Sequence, residues 1–257
     1  ASTYADHILP YFTTSYNSDN VALANEVLSS LYGATPGPDV FWTPERVVDD
    51  GVLDKVAALG YDYTFIDQMI HVRNWFGRTD ALGETGYRVN KIRGVNCFVI
   101  NDFASGFIFQ NTDGGLPTSL RTLFNRKARS GTQNQIVTLF KQWEDFTNND
   151  HADAYDRNIR WMASHPWIEL VSLEDVAAGQ VDYTGDGVGD NWSGTAVDRG
   201  YPSLSKQAQD FIQHASEEDY DNWYVGSAQE ESLQERHYQL RPGQNITNRY
   251  GMLYNAG

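Results

Sequence analysis

Apolar and polar positions along the chain follow two rhythms. Val40, Phe41 and Trp42 form a short apolar run that stops at Pro44, which reads as the end of a buried strand. Val52, Leu53, Val56 and Leu59 then fall at helical spacing. Asp49 or Asp50 supplies an N-cap oxygen, and Gly60 is placed for a left-handed C-cap. Tyr61 to Ile66 is aromatic and β-branched and reads as a second strand. Strand, helix and strand in so short a stretch make a βαβ unit with parallel strands. Glu45 follows the first strand, and Asp67 and His71 lie beyond the second. The two acidic residues are thus expected at the C-terminal ends of parallel strands, where α/β folds place their sites.

The same rhythms continue on both sides. Residues 1–20 read as loop, with a short strand or turn around His7 to Phe12. Val21 to Leu31 predicts a helix capped by Asp19 or Asn20 and stopped at Gly33. Residues 72–92, with Trp75, read as an excursion over the site face. Val95 to Ile100 predicts a strand with Asn101 and Asp102 at its end. Leu116 to Ala128 predicts a helix with Pro117 in its first turn and Arg126, Lys127 and Arg129 near its end. Gln135 to Phe140 reads as a strand, Ala152 to Ala163 as a helix, Trp167 to Val171 as a strand and Leu173 to Ala178 as a short helix. The class is α/β with a largely parallel sheet. Residues 203–216 read as helical, and the end of the chain as an extended arm.

Composition narrows the function classes. Forty per cent hydrophobic and 13% aromatic residues are ample for a core, which excludes global disorder. A formal charge of −15 argues against nucleic acid or an anionic membrane as a partner held by charge. Cys97 is alone, so no internal disulfide forms, and its apolar surroundings make it a buried, inert thiol. No apolar stretch approaches the roughly twenty residues of a membrane span, and no signal peptide is read. Asn191-Trp192-Ser193 and Asn245-Ile246-Thr247 match the glycosylation triplet.

Near Gly179 the composition changes. Asp182, Thr184, Asp186, the Val188 carbonyl and Asp190 place oxygens at every second residue, with glycine between. That spacing points hard ligands at a calcium ion. Ser193 stands at the twelfth position instead of a bidentate glutamate, so the loop is shorter than an EF-hand. The acidity and this loop together predict an extracellular protein.

Trp42-Thr43-Pro44-Glu45-Arg46-Val47, with Leu53, the Leu59-Gly60-Tyr61 turn and Asp67, resembles the Trp-Leu-Pro-Glu or Trp-Leu-Thr-Glu-Arg-Val motif of glycoside hydrolase family 57. Thr3 to Pro10 is similar to that family's Tyr-x-His-Pro-Ile-Leu-Pro segment, and Ile136 to Phe146 to the strand ending in Asp-x-Glu-x-Phe-Gly. The resemblance covers roughly residues 3–176. It implies an incomplete (β/α)7 barrel and a retaining α-glycosidase or α-glucanotransferase acting on polysaccharide or oligosaccharide, with Glu45 as nucleophile. The expected organisation is a partial barrel over 1–178, a calcium loop over 179–200 and a helical segment with an extended arm over 201–257.

Two departures accompany the resemblance. Gln142 stands where the family has its acid/base aspartate, and an amide does not deliver a proton as a carboxylic acid does. The family's first strand, with its His-Gln-Pro motif, is missing, which leaves strands to be completed by a homo-oligomer or by a parent chain. Glu144 matches the motif's own glutamate and ranks first as the acid, ahead of Asp102. Glu144 and Asp145, adjacent in a strand, would point to opposite faces. Trp42, Trp75 and Trp143 are candidates to stack on pyranose rings, alongside Gln142. Asp67 and His71 are candidates to bind sugar hydroxyls or to tune Glu45, as against a strand-end cap and a packed turn. His7, His71 and Asp67 also make a possible metal set, but the His-x-x-x-His motif of polysaccharide deacetylases is absent. Two readings follow: an active α-glycan enzyme, or a barrel of the same descent that has lost catalysis and serves as an extracellular carbohydrate-binding or structural module.

Overall fold

The computed structural model describes residues 2–4, 9, 13–33, 40–46, 48, 50–78, 83–130, 136–141, 143–147, 149–182, 186–190 and 197–198. They divide between two compact units. Among the described residues, one runs up to Phe65 and takes in Ile92–Val95, and the other comprises Ile66–Lys91 and the residues between Asn96 and Tyr201. The helices expected beyond residue 201 lie outside the described residues, as does the His7 to Phe12 segment apart from Leu9. Among the described residues no helix is long and apolar enough to cross a membrane.

The first unit opens with helix α1, Thr14–Tyr32. It starts seven residues earlier than the apolar periodicity suggests. Its buried face begins with Asn17 and Asn20 and only then continues through Val21 and Ala24. Asn17 is tolerated there because its amide donates to the Leu9 carbonyl at 3.0 Å. The N-cap is therefore Thr13, whose hydroxyl accepts from Tyr16 N–H, and not Asp19 or Asn20. Gly33 ends the helix in the left-handed region (φ 63°), as expected.

Val40 forms a single parallel bridge with Tyr63, and Phe41 N–H donates to the Tyr63 carbonyl. The first strand of the βαβ unit is thus an extended segment with one bridge. Helix α2, Asp50–Ala58, buries Val52, Leu53 and Val56 completely. Strand β1, Tyr63–Asp67, follows the positive-φ Gly60. The Phe41 and Tyr61 rings meet at 5.1 Å, and Asn25 donates to the Tyr61 hydroxyl, which ties α1 to the start of β1.

Strands β2, Asn90–Ile92, and β3, Val95–Ile100, are joined by Arg93 and Gly94, both with positive φ. A two-residue connection with two left-handed residues is a hairpin turn, so this pair is antiparallel. Arg93 is anchored bidentately to Asp54 at 3.0 and 2.8 Å. Strand β4, Val197–Asp198, pairs in parallel with β2, and the sheet order is β1-β3-β2-β4. The sheet is mixed. The hairpin and β4 went unseen in the sequence because β2 offers only three residues to any pattern.

The second unit packs around Tyr87, Ala104, Leu116, Leu120, Leu123 and Met162. These residues come from a 3₁₀ turn at Glu84–Tyr87, the short helix α3 (Asp102–Ser105), α4 (Gly115–Ser130) and α5 (Asn149–Ala163). Helix α6, Leu173–Ala177, is capped by the Ser172 hydroxyl. Two expected strands are not regular. Of Gln135 to Phe140 the structure describes 136–140, and among these only Thr138 bridges, in parallel, to Ile100. Trp167 to Val171 is coil with Trp167, Leu170 and Val171 exposed. β-Forming composition does not make a strand where no partner ladder receives it.

Cys97 is fully buried in β3, and burial pushes its thiol well above the usual range, so it stays protonated and inert.

Candidate active site

In the first unit, the extended run at Phe41–Thr43 leads into a 3₁₀ turn, Pro44–Arg46. Phe41 and Thr43 are fully buried, and the Phe41 carbonyl accepts the Thr64 hydroxyl at 2.9 Å. Arg46 N–H closes the turn onto the Thr43 carbonyl at 2.9 Å. Glu45 is the central residue of this turn, and the structure describes its backbone but not its side chain. Arg46 is buried and holds φ at 54°, a conformation disfavoured for a residue with a Cβ. Strain of this kind costs about 1–3 kcal/mol and clusters at functional positions. Trp42 is half-buried, with its ring 5.3 Å from Phe65 at 60°. Its ring is thus committed in part to packing.

In the second unit, β1 ends at Asp67 and passes directly into a π-helix, Gln68–Trp75. Such wide turns are rare and recur at functional sites. Asp67 and His71 are sealed from solvent, at 0% and 1% exposure. Asp67 N–H donates to His71 Nδ1 at 2.8 Å. A nitrogen that accepts this bond carries no proton, so the ring proton belongs on Nε2. Asp67 Oδ2 approaches the same nitrogen at 3.6 Å, which is therefore not a charged pair. The π-helix contributes the Trp75 backbone, and its side chain is not described.

Asn101, at the end of β3, was read in the sequence only as a strand end, yet it organises the next part. Its N–H donates to the Thr138 carbonyl at 2.9 Å, and its side-chain oxygen caps α3 by accepting from Ala104 N–H at 2.8 Å. The Ser105 hydroxyl donates to the Asn101 carbonyl and accepts from Phe140 N–H. Strand end, α3 and the 138–140 segment are thereby tied together. Burial pushes the Tyr87 hydroxyl above the usual phenol range, while the neighbouring Asn101 and Arg126 side chains oppose the rise.

That segment leads to a 3₁₀ turn, Trp143–Thr147. Glu144 and Asp145 are therefore successive residues of a turn, not of a strand, and the opposite-face argument does not apply. Gln142 lies outside the described residues, as do the side chains of Asp102, Trp143 and Glu144. The rest of the turn is firmly seated. His151 Nδ1 lies 2.9 Å from the Asp145 carbonyl and stacks on Phe109 at 4.4 Å, and Phe109 meets Phe146 at 5.6 Å. Lys141 Nζ is 3.6 Å from Asp145 and 5.0 Å above the Phe109 ring.

In the acidic loop, Asp182 accepts from Asp186 N–H and Gly187 N–H, and Asp186 accepts from Val188 N–H. Asp190 N–H donates to the Val181 carbonyl, and Gly187 takes φ 83°. Thr184 lies outside the described residues. Among the described residues no group of three or more His, Cys, Asp or Glu side chains is gathered as a metal set, Asp67 and His71 included.

Compared with known families, the profile described as glycosyl hydrolase family 57 matches residues 1–185. No curated protein matches the chain. Among solved structures, the crystal structure of 4-alpha-glucanotransferase from Thermococcus litoralis aligns with a TM-score of 0.48 and 13% identity, over 85% of this chain and 34% of that one. The chain thus spans about a third of that protein's length.

Proposed function

The chain belongs to glycosyl hydrolase family 57, and we propose that it acts on an α-glucan-like polysaccharide or oligosaccharide as a retaining α-glycosidase or α-glucanotransferase. The observation that carries this reading is the Pro44–Arg46 turn inside the matched region. Glu45 sits at its centre, next to a buried arginine held at positive φ. In a retaining reaction one carboxylate attacks the anomeric carbon while a second group protonates the departing oxygen, and water or an acceptor sugar then resolves the glycosyl-enzyme. Glu45 is proposed as the nucleophile and Glu144 as the proton donor. Asp67 and His71, being sealed, are proposed to position the end of β1. Trp42, Trp75, Gln142 and Trp143 are proposed to contact sugar. The fold is read as a partial (β/α)7-type barrel, and the Asp182–Asp190 loop as a structural calcium site of an extracellular protein.

The test is turnover of maltoheptaose by the wild-type chain and by Glu45→Gln. An active wild type and a loss of at least about a thousandfold in the variant is the expected result. Equal activity in both would remove Glu45 from the mechanism. Gln142, an amide at the position where the family resemblance implies an acid, favours a second reading: a glucan-binding module without catalysis. No turnover together with retained glucan binding would select it.

A further inference from the structure

The second unit carries an aromatic assembly that no catalytic role uses. Trp167 is 56% exposed, far more than a tryptophan needs to be. Three rings surround it near right angles: Phe124 at 5.3 Å and 75°, His165 at 5.4 Å and 75°, and Trp161 at 6.3 Å and 83°. Trp161 and His165 are stacked on each other at 3.8 Å. Phe124, Trp161 and Ile168 in turn pack against the core of the unit. The intervening turn is closed by His165 N–H to the Met162 carbonyl and Ile168 N–H to the His165 carbonyl, at 3.0 and 2.9 Å. His165 Nδ1 lies 2.6 Å from the Trp161 carbonyl. The exposed indole therefore stands on a foundation anchored in the core, and a ligand meeting it would not have to order it first.

We propose that Trp167 is a non-catalytic binding platform for a neutral α-glucan chain. The occupant follows from three features. The exposed apolar side chains of this stretch are Trp167, Leu170 and Val171, far fewer than the roughly 20–30 residues a side of a stable protein interface. A net charge of −15 opposes anionic polymers. A pyranose offers a flat C–H face to an aromatic ring, with hydroxyls at its rim. Exposed Ser164 and Glu169 lie within three residues of the indole in the sequence; the Ser164 hydroxyl donates to the Trp161 carbonyl at 2.7 Å, which leaves it and the Glu169 carboxylate as acceptors. The choice of α-glucan rests on the reading of the preceding section, whereas the platform itself does not depend on Glu45.

The experiment is calorimetric titration of the full chain carrying Glu45→Gln with maltoheptaose, repeated with Trp167→Ala and Trp167→Phe added. Circular dichroism checks that each variant is folded. The expected result is a binding event separate from that of the Glu45 site, weakened roughly tenfold or more by Trp167→Ala and largely kept by Trp167→Phe, which retains a ring. Unchanged binding in Trp167→Ala, or no binding of maltoheptaose by any variant, overturns the platform. So does a change in sedimentation coefficient in Trp167→Ala without a change in sugar binding, which would assign the patch to contact between copies. The two readings fail separately. Turnover by the wild type with no Trp167 effect keeps the enzyme and removes the platform. Trp167-dependent binding in a chain without turnover keeps the platform and removes the enzyme.

Discussion

Replacing His71 separates its two contributions to the end of β1, the volume of its ring and the acceptor it offers to Asp67 N–H. The ring is 1% exposed, so His71→Ala leaves a cavity of nearly the whole side chain. Large-to-small changes of this size cost about 2–5 kcal/mol. The variant also leaves a buried backbone N–H without the acceptor it meets at 2.8 Å, which costs about 1–3 kcal/mol. The two losses overlap in one site, so we expect a total of about 3–5 kcal/mol and not their full sum. His71→Asn places an oxygen where Nδ1 stood and keeps most of the volume near the backbone. Its expected cost is about 1–2 kcal/mol. Urea unfolding at neutral pH, followed by near-ultraviolet circular dichroism, reads the difference as a shift in midpoint at constant slope. The reasoning is refuted if the asparagine variant loses as much as the alanine variant, because the acceptor would then count for nothing. It is equally refuted if His71→Ala costs less than about 1 kcal/mol, because the packed ring would then be incidental.

Three further outcomes are expected. Gln142→Asp places a second acid at the position where the family resemblance implies one; with Glu144 as the donor, glucan turnover should change by less than about tenfold, and a rise of about 10²–10⁴-fold would move the donor's role from Glu144 to position 142. The hydrogen bond from Arg93 holds the Asp54 carboxyl below its ordinary 3.8. A depressed carboxyl stabilises the fold above its unfolded value and loses that contribution as pH falls through the lower folded value. The stability gap between wild type and Asp54→Asn should therefore be flat from pH 7 to about 5, close below about 4, and shrink in high salt because the pair is exposed. Calcium should raise the thermal midpoint of the full chain, and Asp186→Ala should abolish the rise; a midpoint indifferent to both calcium and chelator would reduce the loop to an acidic turn.

How much of this was legible in the sequence depends on which force fixed each element. Helix α2 and Gly60 were readable because three apolar residues at helical spacing, Val52, Leu53 and Val56, carry the burial. The start of α1 was not, because two asparagines take the place of apolar residues on its inner face. β3 was readable as a run of apolar residues broken at Asn96, and all six of its residues are buried. The Trp167–Val171 segment is also rich in β-forming residues but pairs with no strand among the described residues, and it is coil. The π-helix after Asp67 had no local signal at all. At its start the Asp67 N–H donates into the ring of His71, a contact that spacing alone does not reveal.

The site shows the same division more sharply. The position of Glu45 came from a strand ending at a proline, and the Pro44–Arg46 turn lies where that reading put it. The positive φ of buried Arg46 was invisible, since arginine carries no signal for the left-handed region as glycine does. Glu144 is read from its match to the motif's glutamate, but the strand geometry that set it against Asp145 is a 3₁₀ turn in the structure, and the change matters for mechanism. Successive residues of such a turn are rotated by about 120°, so Glu144 and Asp145 are not forced to opposite sides. What fixes the turn is also not in the motif. Asp145 is held through its carbonyl by His151, whose ring is in turn braced on Phe109. A substitution at Phe109 or His151 would therefore act on the backbone that carries Glu144 without touching the motif itself. Sequence comparison by motif alone would score such a variant as intact, even though the turn had lost its brace.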